Sequence, residues 1–111
     1  MILEALEVRF GRDALHPLQI AGLPNALLLE ANAHTRIAIV ILDGSIGPRA
    51  MTLKLRGYFD HGMHEVWLID PADLTVELWN TPWQPLQLTD DDAISSPLLP
   101  GFSLPLPDLF A

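Results

Sequence analysis

The chain has 111 residues, half of them hydrophobic, with no cysteine and a formal net charge of −8. That length fits a single domain, 1–111, with one real core, and the apolar content excludes a disordered chain. Lack of cysteine rules out a disulfide framework or a thiolate site, and no apolar run approaches the roughly 20 residues of a membrane span.

The charge is lopsided. All six basic residues precede residue 60, together with five acidic ones, whereas residues 60–111 carry nine acidic residues and no basic one. Basic patches supply most non-specific affinity for nucleic acid, so the second half should repel a phosphate backbone. Only Arg49, Lys54 and Arg56 cluster, and they read as a solvated helix face. Binding to duplex DNA is therefore expected to be weak.

In chain order, Met1-Ile2-Leu3-Glu4 lacks the basic and apolar regions of a signal peptide, so a cytoplasmic location is expected. Leu6-Glu7-Val8-Arg9-Phe10 alternates apolar and charged residues, the period of a half-buried strand; a short helix over residues 2–8 is the alternative. Gly11-Arg12-Asp13 is a turn. Residues 14–23 allow a second strand, which Pro17 confines to a sheet edge. After Pro24-Asn25, the run Ala26–Glu30 and the run Thr35–Asp43 form a hairpin. With Asn32-Ala33 as its two-residue turn, Asn25 lies opposite Val40, and directly opposed residues share a face of the sheet.

Residues 37–70 form the centre. Ile37-Ala-Ile-Val-Ile-Leu42 is continuously apolar, as suits a strand covered on both faces. Pro48 fits the first position of a helix of about three turns, which Gly62 can end in a left-handed conformation. His64-Glu-Val-Trp-Leu-Ile-Asp70 follows as a second strand, parallel to the first. Leu74–Trp79 alternates and should pair antiparallel with residues 64–69. Asn80–Pro85 is poorly patterned, and Leu86-Gln87-Leu88 makes a short third strand. Thr89-Asp90-Asp91-Asp92 reads as a solvated loop, since a cation site there needs oxygen ligands from several segments. Ser95–Phe102 reads as an irregular strap across the core, and Pro107–Phe110 as one helical turn. The fold class is α/β (α+β): a mixed, mostly antiparallel sheet with one main helix.

Isolated candidates for chemistry are weak. His61 and His64 flank a turn, and Gly62 breaks the helical spacing that would pair them on a metal. Trp67 and Trp79 lie in core strands and read as core or dimer-contact aromatics, since a base-stacking platform needs a basic groove beside it. Gly44-Ser45-Ile46-Gly47 lacks the lysine of a phosphate loop.

From Lys54 onward an ordered set of motifs stands out: Lys54 and Tyr58, Gly62-Met63, Glu65-Val66-Trp67-Leu68-Ile69-Asp70-Pro71, Thr75-Val76-Glu77, Ser96-Pro97-Leu98-Leu99-Pro100-Gly101-Phe102, and Pro107-Asp108-Leu109-Phe110. This set resembles the Uma-two family of restriction-endonuclease-like proteins, within the PD-(D/E)XK nuclease-like group. The resemblance implies a restriction-endonuclease-like core and metal-dependent hydrolysis of DNA, in which two carboxylates hold a divalent ion and a lysine assists. It also implies a homodimer. Carried over by position, Lys54 matches the helix lysine. Asn25 stands where the family has Asp, and Val40 where it has Glu. Both replacements remove charge, so the expectation is a degenerate site without a cofactor, or with Mg²⁺ or Mn²⁺ if active. Asp43 is the candidate displaced ligand, with Glu30 as a second, although Asp43 reaches the site only if the strand ends or bulges after Val40. The alternatives are a non-enzymatic dimeric binding or structural module, an active nuclease with displaced ligands, and a decayed reading frame that still folds.

Overall fold

A computed structural model describes residues 2–111, the side chain of Pro48 excepted. In chain order its elements are α1 (Ile2–Phe10), a 3-10 turn (Arg12–Ala14), β1 (Leu15–Leu18), β2 (Ala26–Asn32), β3 (Thr35–Ile41), α2 (Pro48–Asp60), β4 (Glu65–Asp70), β5 (Thr75–Trp79), β6 (Pro85–Leu88), β7 (Ala93–Ser96), β8 (Leu99–Pro105) and α3 (Leu106–Leu109). β1 to β6 form one sheet in sequence order, and β7 and β8 form a separate hairpin. β3 and β4 are parallel, with α2 between them in the chain, and the other neighbours in the large sheet are antiparallel. This is the mixed, mostly antiparallel sheet that the sequence predicts.

The continuous apolar character of β3 follows from its position, because both faces of the sheet are covered. On one face Ile37, Ile39, Trp67, Ile69 and Val76 pack against Leu6 of α1, Ile94 and Leu104 of the small hairpin, and Leu106 and Leu109 of α3. Phe10 and Phe102 stack 4.8 Å apart between their ring centroids and both lie beside Trp67. On the other face Ala38, Val40, Val66, Leu68 and Trp79 meet α2. The helix contributes Met51, Leu55 and Tyr58, spaced by four and three residues so that all three share one stripe. It ends at Gly62, whose φ of +91° few other residues tolerate. Both edge strands carry a proline, Pro17 in β1 and Pro85 in β6. A missing N–H is tolerated there and blunts pairing with another sheet.

Three expectations change. Residues 6–10 belong to a helix and not to a strand: Leu6 is buried, and Ile2, Ala5 and Phe10 pack against the same core at helical spacing, while Val8 faces solvent. The apparent alternation arose from Val8, which contacts no core. Residues 93–105 form a true hairpin with a bulge, so the expected strap is ordered, although it does cross the core. The β2–β3 register also differs. Leu27 pairs with Ile39 and Leu29 with Ile37, then a bulge lets Asn32 pair with Thr35 around a turn at Ala33-His34. The Asn32 side-chain oxygen accepts the His34 N–H at 2.8 Å and so sets the turn one residue later than expected. Continued one step, this register puts Val40 opposite Ala26, so Asn25 and Val40 are not a directly opposed pair.

Glu65 opens β4 and is 2% exposed, yet no cation faces it among the hydrogen bonds of the described residues. Its carboxylate accepts the Trp67 indole N–H at 2.7 Å and the Ser96 hydroxyl at 2.8 Å. The second bond ties the large sheet to β7. Removing one donor from a buried carboxylate leaves part of its desolvation cost uncompensated. Ser96→Ala is therefore expected to lower stability by about 1–3 kcal/mol in urea unfolding, and an unchanged midpoint would count against this tie.

Candidate active-site cleft

β3 stops at Ile41. The Leu42 N–H still donates to the Ile69 carbonyl at 2.8 Å, and then the chain leaves the sheet. The strand thus ends where Asp43 needed it to end. A cleft of about 370 Å³ opens there, bounded by Asn25, Val40, Asp43, Ser45, Ile46 and Met51. Three of the four residues singled out from the sequence therefore border one cavity, by a route other than the expected register.

Their chemistry is unequal. Val40 is 2% exposed and offers no polar atom. Asn25 is exposed at the start of β2 and offers an amide. Asp43 carries the one carboxylate on the cleft wall, and it is turned to its own loop: its Oδ1 accepts the Ser45 N–H at 2.9 Å. The Ser45 hydroxyl and then the Ser45 N–H hold the Asp43 carboxyl below its ordinary value of 3.8. Glu30 pairs with Arg36 near the turn end of the β2–β3 hairpin, whereas Asp43 lies beyond its open end. The two displaced ligands considered from sequence are thus separated by the length of β3.

Lys54 does not border the cleft. Its Nζ donates to the Gly22 carbonyl at 2.9 Å. One turn on, the Tyr58 hydroxyl donates to the Pro24 carbonyl at 2.6 Å. Between them Gly57 leaves room for Leu23, whose nearest methyl would sit only 2.9 Å from an added Cβ. Lys54, Gly57 and Tyr58 therefore form a clamp on residues 22–24, the loop that delivers Asn25 to the cleft. Sequence reading missed the roles of Gly57 and Tyr58. Their spacing from Lys54 was the available signal, since residues three and four apart share a helix face.

The remaining candidates take structural roles. The His64 ring Nδ1 accepts the Arg36 N–H at 3.2 Å, and the His64 N–H donates to the Arg36 carbonyl at 2.8 Å, which joins the entries of β3 and β4. The ring Nδ1 of His61 lies 2.8 Å from the Gly57 carbonyl. Trp67 and Trp79 are buried. Asp92 accepts the Thr89 N–H at 2.9 Å within an exposed acidic loop. Among the described residues, no three His, Asp or Glu side chains are grouped so as to hold a metal ion. No helix among them is long and apolar enough to cross a membrane.

Two measurements test this geometry. Burial pushes the phenol of Tyr58 up to about 12, from an ordinary value of 10.0. The folded state therefore keeps a proton that the unfolded chain releases, so the stability carried by Tyr58 is complete below pH 10 and is lost as pH rises toward 12. Tyr58→Phe should flatten that alkaline decline and, by leaving the Pro24 carbonyl without its donor, cost about 1–2 kcal/mol at neutral pH. Tyr58 is the one tyrosine in the chain, so ultraviolet absorbance reads its titration directly. For Asp43, NMR titration should find a midpoint below 3.8 that Ser45→Ala moves upward; an unmoved midpoint would remove Ser45 as the cause.

Comparison with known proteins agrees with this architecture. Among curated proteins, none matches the chain. Among solved structures, the chain is similar to the crystal structure of a "putative nuclease belonging to DUF820" from Anabaena variabilis, with a TM-score of 0.64 and 16% identity, covering 96% of this chain and 74% of that one. At that identity the likeness shows a shared fold. The family profile of Uma2, described as "Putative restriction endonuclease", matches residues 32–107, which include Val40, Asp43 and Lys54 but not Asn25. That match spans well over half of the chain, and the chain belongs to the Uma2 family.

Proposed function

We propose that this chain is a degenerate endonuclease-like protein, with the nuclease fold but without phosphodiester hydrolysis, acting as a binding or structural module. The observation that carries this reading is Val40. The PD-(D/E)XK-like chemistry expected from the family motifs needs an anionic oxygen at that strand position, and here an apolar side chain is buried against α2. Hard divalent cations need several oxygen ligands, anionic ones above all. The cleft wall offers one carboxylate, Asp43, already engaged with Ser45, and the Asn25 amide. The residues present do not fit Mg²⁺ or Mn²⁺, and no hydrolytic step is derived through either ion. Lys54, at the position of the family lysine, spends its ammonium on the Gly22 carbonyl and positions a loop.

Weak association with DNA is part of this proposal, since residues 60–111 carry nine acidic residues and no basic one. Three of the six basic residues, Arg49, Lys54 and Arg56, lie on α2.

The purified protein is expected not to cleave DNA with Mg²⁺ or Mn²⁺, and Mn²⁺ should leave its thermal unfolding midpoint unchanged. The pair Asn25→Asp with Val40→Glu should be less stable than wild type without metal, because a buried carboxylate replaces Val40. It should recover part of that loss with Mn²⁺, because a ligand that binds only the folded state stabilises it. Cleavage by wild type, or equal stabilisation of wild type and variant by Mn²⁺, overturns the degenerate reading. Stabilisation of neither would mean that Asn25 and Val40 do not mark the vacated ligand positions.

A further inference from the structure

Two exposed apolar surfaces of the chain carry opposite charge. The first is the outer face of α2. Arg49, Leu53 and Arg56 are spaced by four and three residues, so they form one stripe, which ends at Asp60. Leu53 is 79% exposed, and Trp83, 70% exposed, extends the stripe, with the Arg56 guanidinium 5.2 Å from its ring centroid. Lys54 is directed elsewhere, onto the Gly22 carbonyl. The second surface lies across the sheet, where α3 packs. A cleft of about 470 Å³ runs between the β4–β5 turn, the β6–β7 turn and α3. Leu74, Leu106 and Phe110 supply its apolar wall, and Asp73 and Asp90 its carboxylates. Leu74 is 54% exposed although every other large side chain of that wall joins the core.

We infer that these two surfaces dock a second copy of this chain head to tail. Leu53 and Trp83 of one copy enter the cleft of the next, and Arg49 and Arg56 meet Asp73 and Asp90. Charge complementarity selects this arrangement. A symmetric contact between two α2 stripes sets arginine against arginine, and one between two clefts sets aspartate against aspartate; like charges across an interface cost several kcal/mol. Pairing through the sheet edges is disfavoured by Pro17 and Pro85. The contact is heterologous, so it leaves one stripe and one cleft free on every pair and allows growth beyond two copies. It goes beyond the proposed function and does not depend on the state of Val40.

Sedimentation velocity on the full chain tests it. Wild type should show species that grow with concentration. Leu53→Glu with Arg56→Glu removes the stripe and leaves the cleft, while Asp73→Lys alters the cleft and leaves the stripe. Each variant alone should associate at least about tenfold more weakly than wild type, with circular dichroism confirming that it is folded. Mixed together, they should form a one-to-one dimer that does not grow, because one variant supplies the only working cleft and the other the only working stripe. Monomeric wild type at high micromolar concentration overturns the inference. So does wild-type-like association of either variant alone, or failure of the mixture to pair. Wild type that stays monomeric but binds duplex DNA through Arg49 and Arg56 would assign the stripe to nucleic acid instead.

Discussion

The parallel pairing of β3 with β4 is the constraint on which the rest of the structure depends. A parallel pair cannot be closed by a tight turn, so the chain must cross over, and α2 is that crossover. The crossover covers one face of the sheet, which leaves the other face to be covered as well. That second layer is assembled from both ends of the chain: α1 from the N-terminal side, the β7–β8 hairpin and α3 from the C-terminal side. Glu65 shows how closely the layers are tied, because its carboxylate is satisfied from its own strand and from β7 at once. A buried carboxylate without such donors would carry its full desolvation cost.

The same crossover builds the cleft. α2 starts beyond the end of β3 and lies along β2 and β4, so its side chains reach the loop that enters β2. In a nuclease of this architecture, a lysine on that helix stands beside two strand carboxylates, as the family motifs imply. Here the helix and its lysine remain, one carboxylate position holds an amide, and the other holds part of the hydrophobic core. Val40 illustrates the difference between keeping a fold and keeping a reaction. A valine at a strand position against Met51 and Leu55 supports packing as well as any residue could, and it supplies nothing to a cation.

The partition of charge adds a second theme. Arginines on the outer face of α2 and aspartates around α3 sit on opposite sides of the sheet, so the chain has a polarity that its net charge of −8 conceals. Net charge governs solubility and long-range repulsion. Local patches govern what can touch, and within a Debye length of contact they outweigh the distant charges.

By itself the sequence determined the central strand–helix–strand unit, the antiparallel β4–β5–β6 meander, the edge position of Pro17 and the helical turn near the C-terminus. In each case the signal is local: period-two alternation, a continuous apolar run, Pro48 at a helix start, Gly62 at its end. The ordered motifs from Lys54 to Phe110 also carried the family. What only the tertiary structure decided are features set by partners distant in the chain. Whether residues 2–10 became strand or helix depended on a sheet face that Ile2, Ala5, Leu6 and Phe10 could cover. The hairpin register turned on a bulge and one side-chain hydrogen bond from Asn32, and a shift of one residue changes which side chains share a face. The fates of Lys54 and Tyr58 depended on carbonyls more than thirty residues away, at Gly22 and Pro24, because a donor shows in the sequence while its acceptor becomes its neighbour only once the chain has folded.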